Sequence, residues 1–152
     1  MPSRAKPPKA SGLHLRAPAP LQPSTFAEFE DRTGQRILER YGMSEAVIIT
    51  TNPLDGERLA GSVGYPLPGV ELRIGGAEET GVIEIRGPSV FGGYWRMPEK
   101  TAQDFTDDGF FVTGDVGRRD AGGRVWISGR AQRPDHLRWL QRLSQGGRAG
   151  AR

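Results

Sequence analysis

Phe110-Phe111-Val112-Thr113 and Arg124-Val125-Trp126-Ile127-Ser128, joined through Asp120-Ala121-Gly122-Gly123, read as two strands and a hairpin turn. Aromatic and β-branched residues suit a pleated, half-buried surface. An aspartate followed by two glycines suits the positive φ angles of a tight turn. Working upstream, Val82-Ile83-Glu84-Ile85-Arg86 alternates with period two over its second half, and Val70-Glu71-Leu72-Arg73-Ile74 does so throughout. Residues 65–128 therefore predict short antiparallel strands between Gly/Pro turns, the pattern of a sheet or small barrel. Val47 to Thr51 is a further β-branched run, and Gln35 to Arg40 alternates around Ile37. Thr25 to Thr33 predicts a short helix, capped by Ser24 and stopped by Gly34, with Phe26 and Phe29 on one face. Pro98 to Phe105 predicts one or two helical turns.

Outside this region the composition shifts. Residues 1–24 are rich in proline, carry Arg4, Lys6, Lys9 and Arg16, and contain no acid. Residues 129–152 carry Arg130, Arg133, Arg138, Arg142, Arg148 and Arg152 against Asp135 alone. The formal charge of +3 hides these two basic ends around an acidic centre. A nucleic-acid reading would rest on the ends alone. Leu137, Leu140 and Leu143 sit in a short basic stretch that reads as an interfacial or partner helix, or as a plain tail. With 152 residues the chain is one domain in size. The absence of cysteine excludes disulfides and thiolate metal sites. His14 and His136 are too far apart in sequence to suggest a histidine-built centre. No apolar run approaches the roughly 18 to 20 residues of a membrane span. The N-terminal stretch has no apolar h-region, and its prolines would break a transit-peptide helix. The expected compartment is cytoplasmic, with no membrane span and no nucleic-acid partner.

Four segments carry small or polar residues that a plain sheet does not need. In Glu39-Arg40-Tyr41-Gly42-Met43-Ser44-Glu45, an exposed tyrosine face could stack on a base, and the glycine allows close approach of a ligand. The serine hydroxyl could bond a phosphate and the glutamate suits Mg²⁺. The plainer reading is a turn with a helix cap. Gly87 to Thr101 reads chiefly as a structural loop. In Asp108 to Asp115, the last carboxylate follows a glycine and could accept two bonds from a ribose diol, or be an ordinary hairpin aspartate. In Trp126-Ile127-Ser128-Gly129-Arg130, the arginine follows a strand and a glycine, or is simply solvated.

In this order and spacing, the four segments resemble those of the adenylate-forming acyl-CoA synthetases, the AMP-binding ligases. That family's Y-G-x-T-E block is matched by Tyr41 to Glu45, with Ser44 in place of threonine. Its G-E-[IL]-x-x-x-G-P block is similar to Gly81 to Pro88, followed by Gly93-Tyr94 and Pro98-Glu99-Lys100-Thr101. Its T-G-D block is Thr113-Gly114-Asp115, and the G-R of its hinge is Gly129-Arg130. Within the family the chain looks most like the malonyl-CoA synthetases, over about residues 19–131. The resemblance implies ATP, CoA and Mg²⁺ as cofactors and cosubstrates, with a small carboxylic acid as substrate. It implies catalytic Ser44 and Glu45, with Glu45 on the metal. Tyr41, Gly42, Met43, Asp115, Ile127 and Arg130 would bind the nucleotide. It implies an α+β fragment, made of a small distorted β-barrel subdomain plus the end of an α/β subdomain, with irregular ends. The family's glycine-rich phosphate loop and its lid lysine have no counterpart in these residues.

The expected organisation is an irregular segment 1–24, a partial AMP-binding (adenylation) domain 25–131 and a basic tail 132–152. Both ends admit a frame-shifted reading. With third bases chosen to fit, residues from Gln132 can be back-translated and read one base later as S-D-L-I-I-S-G-G-F-N-V-Y-P-K-E-V, similar to the family's continuation. Such a chain would be a truncated acid–CoA ligase, inactive alone. The alternative is a small non-enzymatic module whose basic tail meets a membrane or an anionic partner.

Overall fold

The computed structural model describes residues 14–15, 21–76 and 79–131. Its elements are β1 (His14–Leu15), α1 (Pro23–Thr33), β2 (Leu38–Met43), β3 (Val47–Thr51), β4 (Ser62–Pro66), β5 (Glu71–Ile74), β6 (Thr80–Arg86), α2 (Pro98–Asp104), β7 (Phe111–Arg119) and β8 (Val125–Arg130). They form an α+β structure around one sheet, with strand order β1-β2-β3-β4-β8-β7-β6-β5. All neighbouring pairs are antiparallel except β1 with β2. A parallel pair needs a crossover connection. Here α1 supplies it, so β1-α1-β2 is a βαβ unit attached to an antiparallel sheet. Two residues of the segment read as irregular, His14 and Leu15, are thus in a strand.

Helix α1 starts two residues before the expected Thr25. Pro23 occupies the first turn, where its fixed φ suits the helix and its missing N–H costs nothing. Gln22 is the N-cap in place of Ser24, and no side chain caps the helix. At the other end Gly34 is left-handed (φ 68°) and its N–H reaches the Glu30 carbonyl at 2.8 Å, which satisfies one orphan acceptor. Phe26 anchors the helix and is 7% exposed.

The strand expected at Gln35–Arg40 lies further on, at Leu38–Met43. The buried positions of β2 include Glu39, which hides the alternation from a hydrophobicity reading. The core is assembled from inward residues of seven strands, β2 to β8: Tyr41, Ile49, Val63, Leu72, Ile83, Ile85, Phe111 and Val125, with Ala46. Each large aliphatic side chain buried there contributes about 2 kcal/mol. Phe91 extends the core outward. Its ring meets Phe111 edge-on at 5.2 Å and Tyr94 edge-on at 4.8 Å. This contact ties the Gly87–Thr101 loop to the sheet.

On the other face of β6, Glu84 is fully buried between Ile83 and Ile85. The Arg73 Nε donates to its Oε2 at 2.6 Å, while Nη1 of the same guanidinium bonds Asp108 at 2.6 Å. Arg73 also lies 3.9 Å from the Phe110 ring centroid. Arg73 beside it, with help from Thr106, holds the Asp108 carboxyl well below the usual range. That aspartate serves the sheet, apart from the candidate site.

Candidate functional site

The site begins in the β2–β3 hairpin. A bulge falls between Tyr41 and Gly42, where Gly42 pairs with Ile48. A Cβ on Gly42 would overlap the carbonyl oxygen of Val47. The close approach that glycine permits here is therefore to the chain's own backbone. Val47 has φ 58°, uncommon for a β-branched residue. Between the strands, Ser44-Glu45-Ala46 form the turn, closed by the Ala46 N–H on the Met43 carbonyl at 3.1 Å. Ser44 is exposed and Glu45 half-buried. The turn lies at the C-terminal end of β2. That is the end of a βαβ unit where ligands collect.

Strand β7 approaches from the other side of the core. The Thr113 hydroxyl donates to the Ile83 carbonyl at 2.8 Å and accepts from the Asp115 N–H at 3.1 Å. Gly114 between them is left-handed (φ 75°). Asp115 pairs in register with Arg130 of β8. The Arg130 Nε lies 3.8 Å from Asp115 Oδ1, and the Tyr41 hydroxyl donates to Asp115 Oδ2 at 2.6 Å. Three residues expected to serve one ligand thus meet at one carboxylate.

Tyr41 differs from expectation in one respect. It is 8% exposed and belongs to the core cluster, so most of its ring is covered and only a small part of it faces outward. Burial, followed by the charge of Asp115, pushes its phenol pKa well above the ordinary range. It is a hydrogen-bond donor throughout the physiological range.

Glu45 and Arg130 both act on a residue that the sequence left in a structural loop. The Tyr94 hydroxyl is pushed up to about 12 by burial, then by its hydrogen bond to Asp104. The charge of Glu45 adds to this and that of Arg130 opposes it. Lys100 bonds Asp104 at 2.6 Å and lies 4.6 Å from the Tyr94 ring centroid. The aromatic spacing Phe91–Tyr94 in the loop was the available signal for this neighbourhood. Met43 and Ile127 are partly buried against the core, Ile127 three residues before Arg130.

Among the described residues no group of three or more acidic or histidine side chains could hold a metal ion. Magnesium on a nucleotide takes one or two protein carboxylates, with phosphates and water completing its shell. Glu45 alone fits that arrangement, in which the ion arrives with a polyphosphate. No helix among the described residues is long and apolar enough to cross a membrane. The basic tail, its leucine-spaced stretch and the frame-shifted reading from Gln132 all lie outside the described residues.

The family model described as "AMP-binding enzyme" matches residues 4–95. A probable CoA ligase of Humulus lupulus is 54% identical over 110 residues, which is 68% of this chain and 18% of that protein. Malonate–CoA ligase of Arabidopsis thaliana is 50% identical over 107 residues, with the same coverage of 68% and 18%. The crystal structure of ATP-bound MatB from Rhodopseudomonas palustris is 51% identical with a TM-score of 0.70, and covers 74% of this chain and 24% of that one. The chain thus spans about a fifth to a quarter of the length of the proteins it matches.

Proposed function

The chain belongs to the AMP-binding enzyme family, and from that premise we propose that it is a segment of an ATP-dependent acid–CoA ligase of the malonate–CoA ligase kind. In that reaction a substrate carboxylate attacks the α-phosphate of ATP and expels pyrophosphate. The CoA thiolate then takes the acyl group and AMP leaves. One observation carries the reading: Tyr41, Asp115 and Arg130, 74 residues apart at the first pair, converge on one carboxylate beside the Ser44–Glu45 turn.

In this reading Asp115 receives the ribose hydroxyls, with the Arg130 guanidinium beside it. Tyr41 and Ile127 form the base-side wall, and Gly42 and Met43 set the hairpin that carries Ser44 and Glu45. Ser44, exposed on the turn, bonds a phosphate oxygen. Glu45 holds the magnesium that accompanies the phosphates, and the ion neutralises charge developing there. The matching names include a malonate–CoA ligase of plants and a sulfoacetate–CoA ligase of Cupriavidus necator. Both substrates are small acids with a second anionic group, and we assign that class.

The segment carries a nucleotide edge without the family's phosphate loop or lid lysine. Alone it should bind AMP weakly and form no acyl-CoA. Purified chain with ATP, Mg²⁺, CoA and malonate tests the second point; acyl-CoA above a no-protein control would refute it. For the first, AMP is titrated into wild-type chain and Asp115→Ala. Loss of a charge-assisted contact of about 1.5 to 3 kcal/mol should weaken AMP at least tenfold. Equal affinity in both proteins would remove Asp115 from the site.

A further inference from the structure

A carboxylate offers about four lone-pair positions on its two oxygens. In Asp115 the Tyr41 hydroxyl occupies one position on Oδ2, at 2.6 Å. Arg130 Nε is 3.8 Å from Oδ1, a charge contact longer than a hydrogen bond. Each oxygen therefore keeps room for one more donor. A vicinal cis-diol presents two O–H groups side by side, which a carboxylate can accept with one bond on each oxygen. Such a match depends on the plane of the carboxylate. The terminal torsion of aspartate is broad, so an unrestrained side chain rotates out of any one plane.

Here the restraint is visible. The Asp115 backbone is held through its N–H on Thr113 Oγ1, and the Thr113 hydroxyl is itself fixed on the Ile83 carbonyl. Thr113 is 4% exposed and Tyr41 8% exposed, so neither has another rotamer to visit cheaply. The Gly42 bulge fixes the tyrosine backbone against Val47. What remains free is rotation about the side-chain bonds of Asp115, and the Tyr41 hydroxyl on Oδ2 restrains it.

We propose that Tyr41 is a positioning residue acting through Asp115: its hydroxyl sets the plane in which the carboxylate accepts a cis-diol, so the site selects a ribonucleotide over a deoxyribonucleotide. The proposal rests on the reading of Asp115 as the ribose-binding group. It gives the tyrosine a role that its aromatic ring alone does not supply, since phenylalanine would fill the same space without fixing the carboxylate.

The test uses the 152-residue chain as wild type, Tyr41→Phe and Asp115→Asn. AMP, 2′-deoxy-AMP and 3′-deoxy-AMP are titrated into each, with folding checked by thermal melts. Wild type should favour AMP over either deoxy analogue by about tenfold, one charge-assisted hydrogen bond's worth. Tyr41→Phe should lose most of that preference, its AMP affinity falling toward that of the deoxy analogues, and Asp115→Asn should lose the preference as well. A Tyr41→Phe chain that keeps the preference, or that weakens for all three nucleotides alike, overturns the positioning role. Wild type that binds the three equally, or binds none, overturns the ribose reading and the proposal with it.

Discussion

Asn52 is 1% exposed and every polar atom of its side chain is paired. Its Nδ2 donates to the Glu39 carbonyl at 3.1 Å and the Ser62 carbonyl at 2.6 Å. Its Oδ1 accepts from Arg124 Nη1 at 3.3 Å, and Arg124 Nη2 continues to Glu57 at 3.2 Å. One amide thus ties β2, β4 and the start of β8 together. Asn52→Ala removes three buried hydrogen bonds, to two carbonyls and to Arg124, which keeps Glu57, and should cost roughly 2 to 4 kcal/mol, read by urea unfolding. Glu39 nearby gives a pH signature. Burial raises its pKa, against the opposing hydrogen bond from the Gly61 N–H. A raised folded value means that its contribution is fully present below the unfolded value of 4.5 and is lost as pH rises through the folded one. Glu39→Gln should flatten the stability–pH curve over that window, as measured by denaturant midpoints from pH 4 to 7. An unchanged slope would show that Glu39 titrates as if exposed.

Among the elements, the hairpins β2–β3 and β3–β4 each depend on a glycine. A Cβ on Gly42 would overlap the Val47 carbonyl oxygen; one on Gly64 would overlap Thr51, and Gly64 also has φ 81°. Gly42→Ala or Gly64→Ala should each destabilise by about 2 kcal/mol or more, visible as a fall in Tm, because backbone rather than a flexible side chain must move. Alternation of apolar residues made β5 and β6 readable from the sequence, and aromatic or β-branched runs did the same for β3, β7 and β8. Strand β4 was not, because Ser62-Val63-Gly64-Tyr65-Pro66 buries its serine through a hydrogen bond to the Val125 carbonyl at 3.1 Å rather than through hydrophobicity. Tyr41, Asp115 and Arg130 were legible as candidates. The bond between the first two was not, since it joins groups 74 residues apart and only the fold brings them within 2.6 Å.

At the scale of the whole molecule, the composition break after Ala131 has a check that needs no protein. The reading of residues 132–152 as frame-shifted requires that the nucleotide sequence, followed one base later from the Gly129 codon, encode a glycine-rich loop and then a further domain. A second frame broken by stop codons would refute it and make the tail a true basic appendage. The order of the sheet bears on biosynthesis as well. Strand β8 lies between β4 and β7, yet it is made after both. Ser62 must find Val125, 63 residues away, at a loop-closure cost of roughly 3 to 4 kcal/mol. Until then β1–β4 and β5–β7 are two half-sheets, each with an unpaired edge open to neighbouring nascent chains. Pulse-labelled amide exchange during refolding should find the β6–β7 pairing protected before the β4–β8 pairing. Slower or cooler expression should raise soluble yield. A ribosome passing the Asp115 codon has already built the carboxylate, and some fifteen codons later it releases the arginine that faces it.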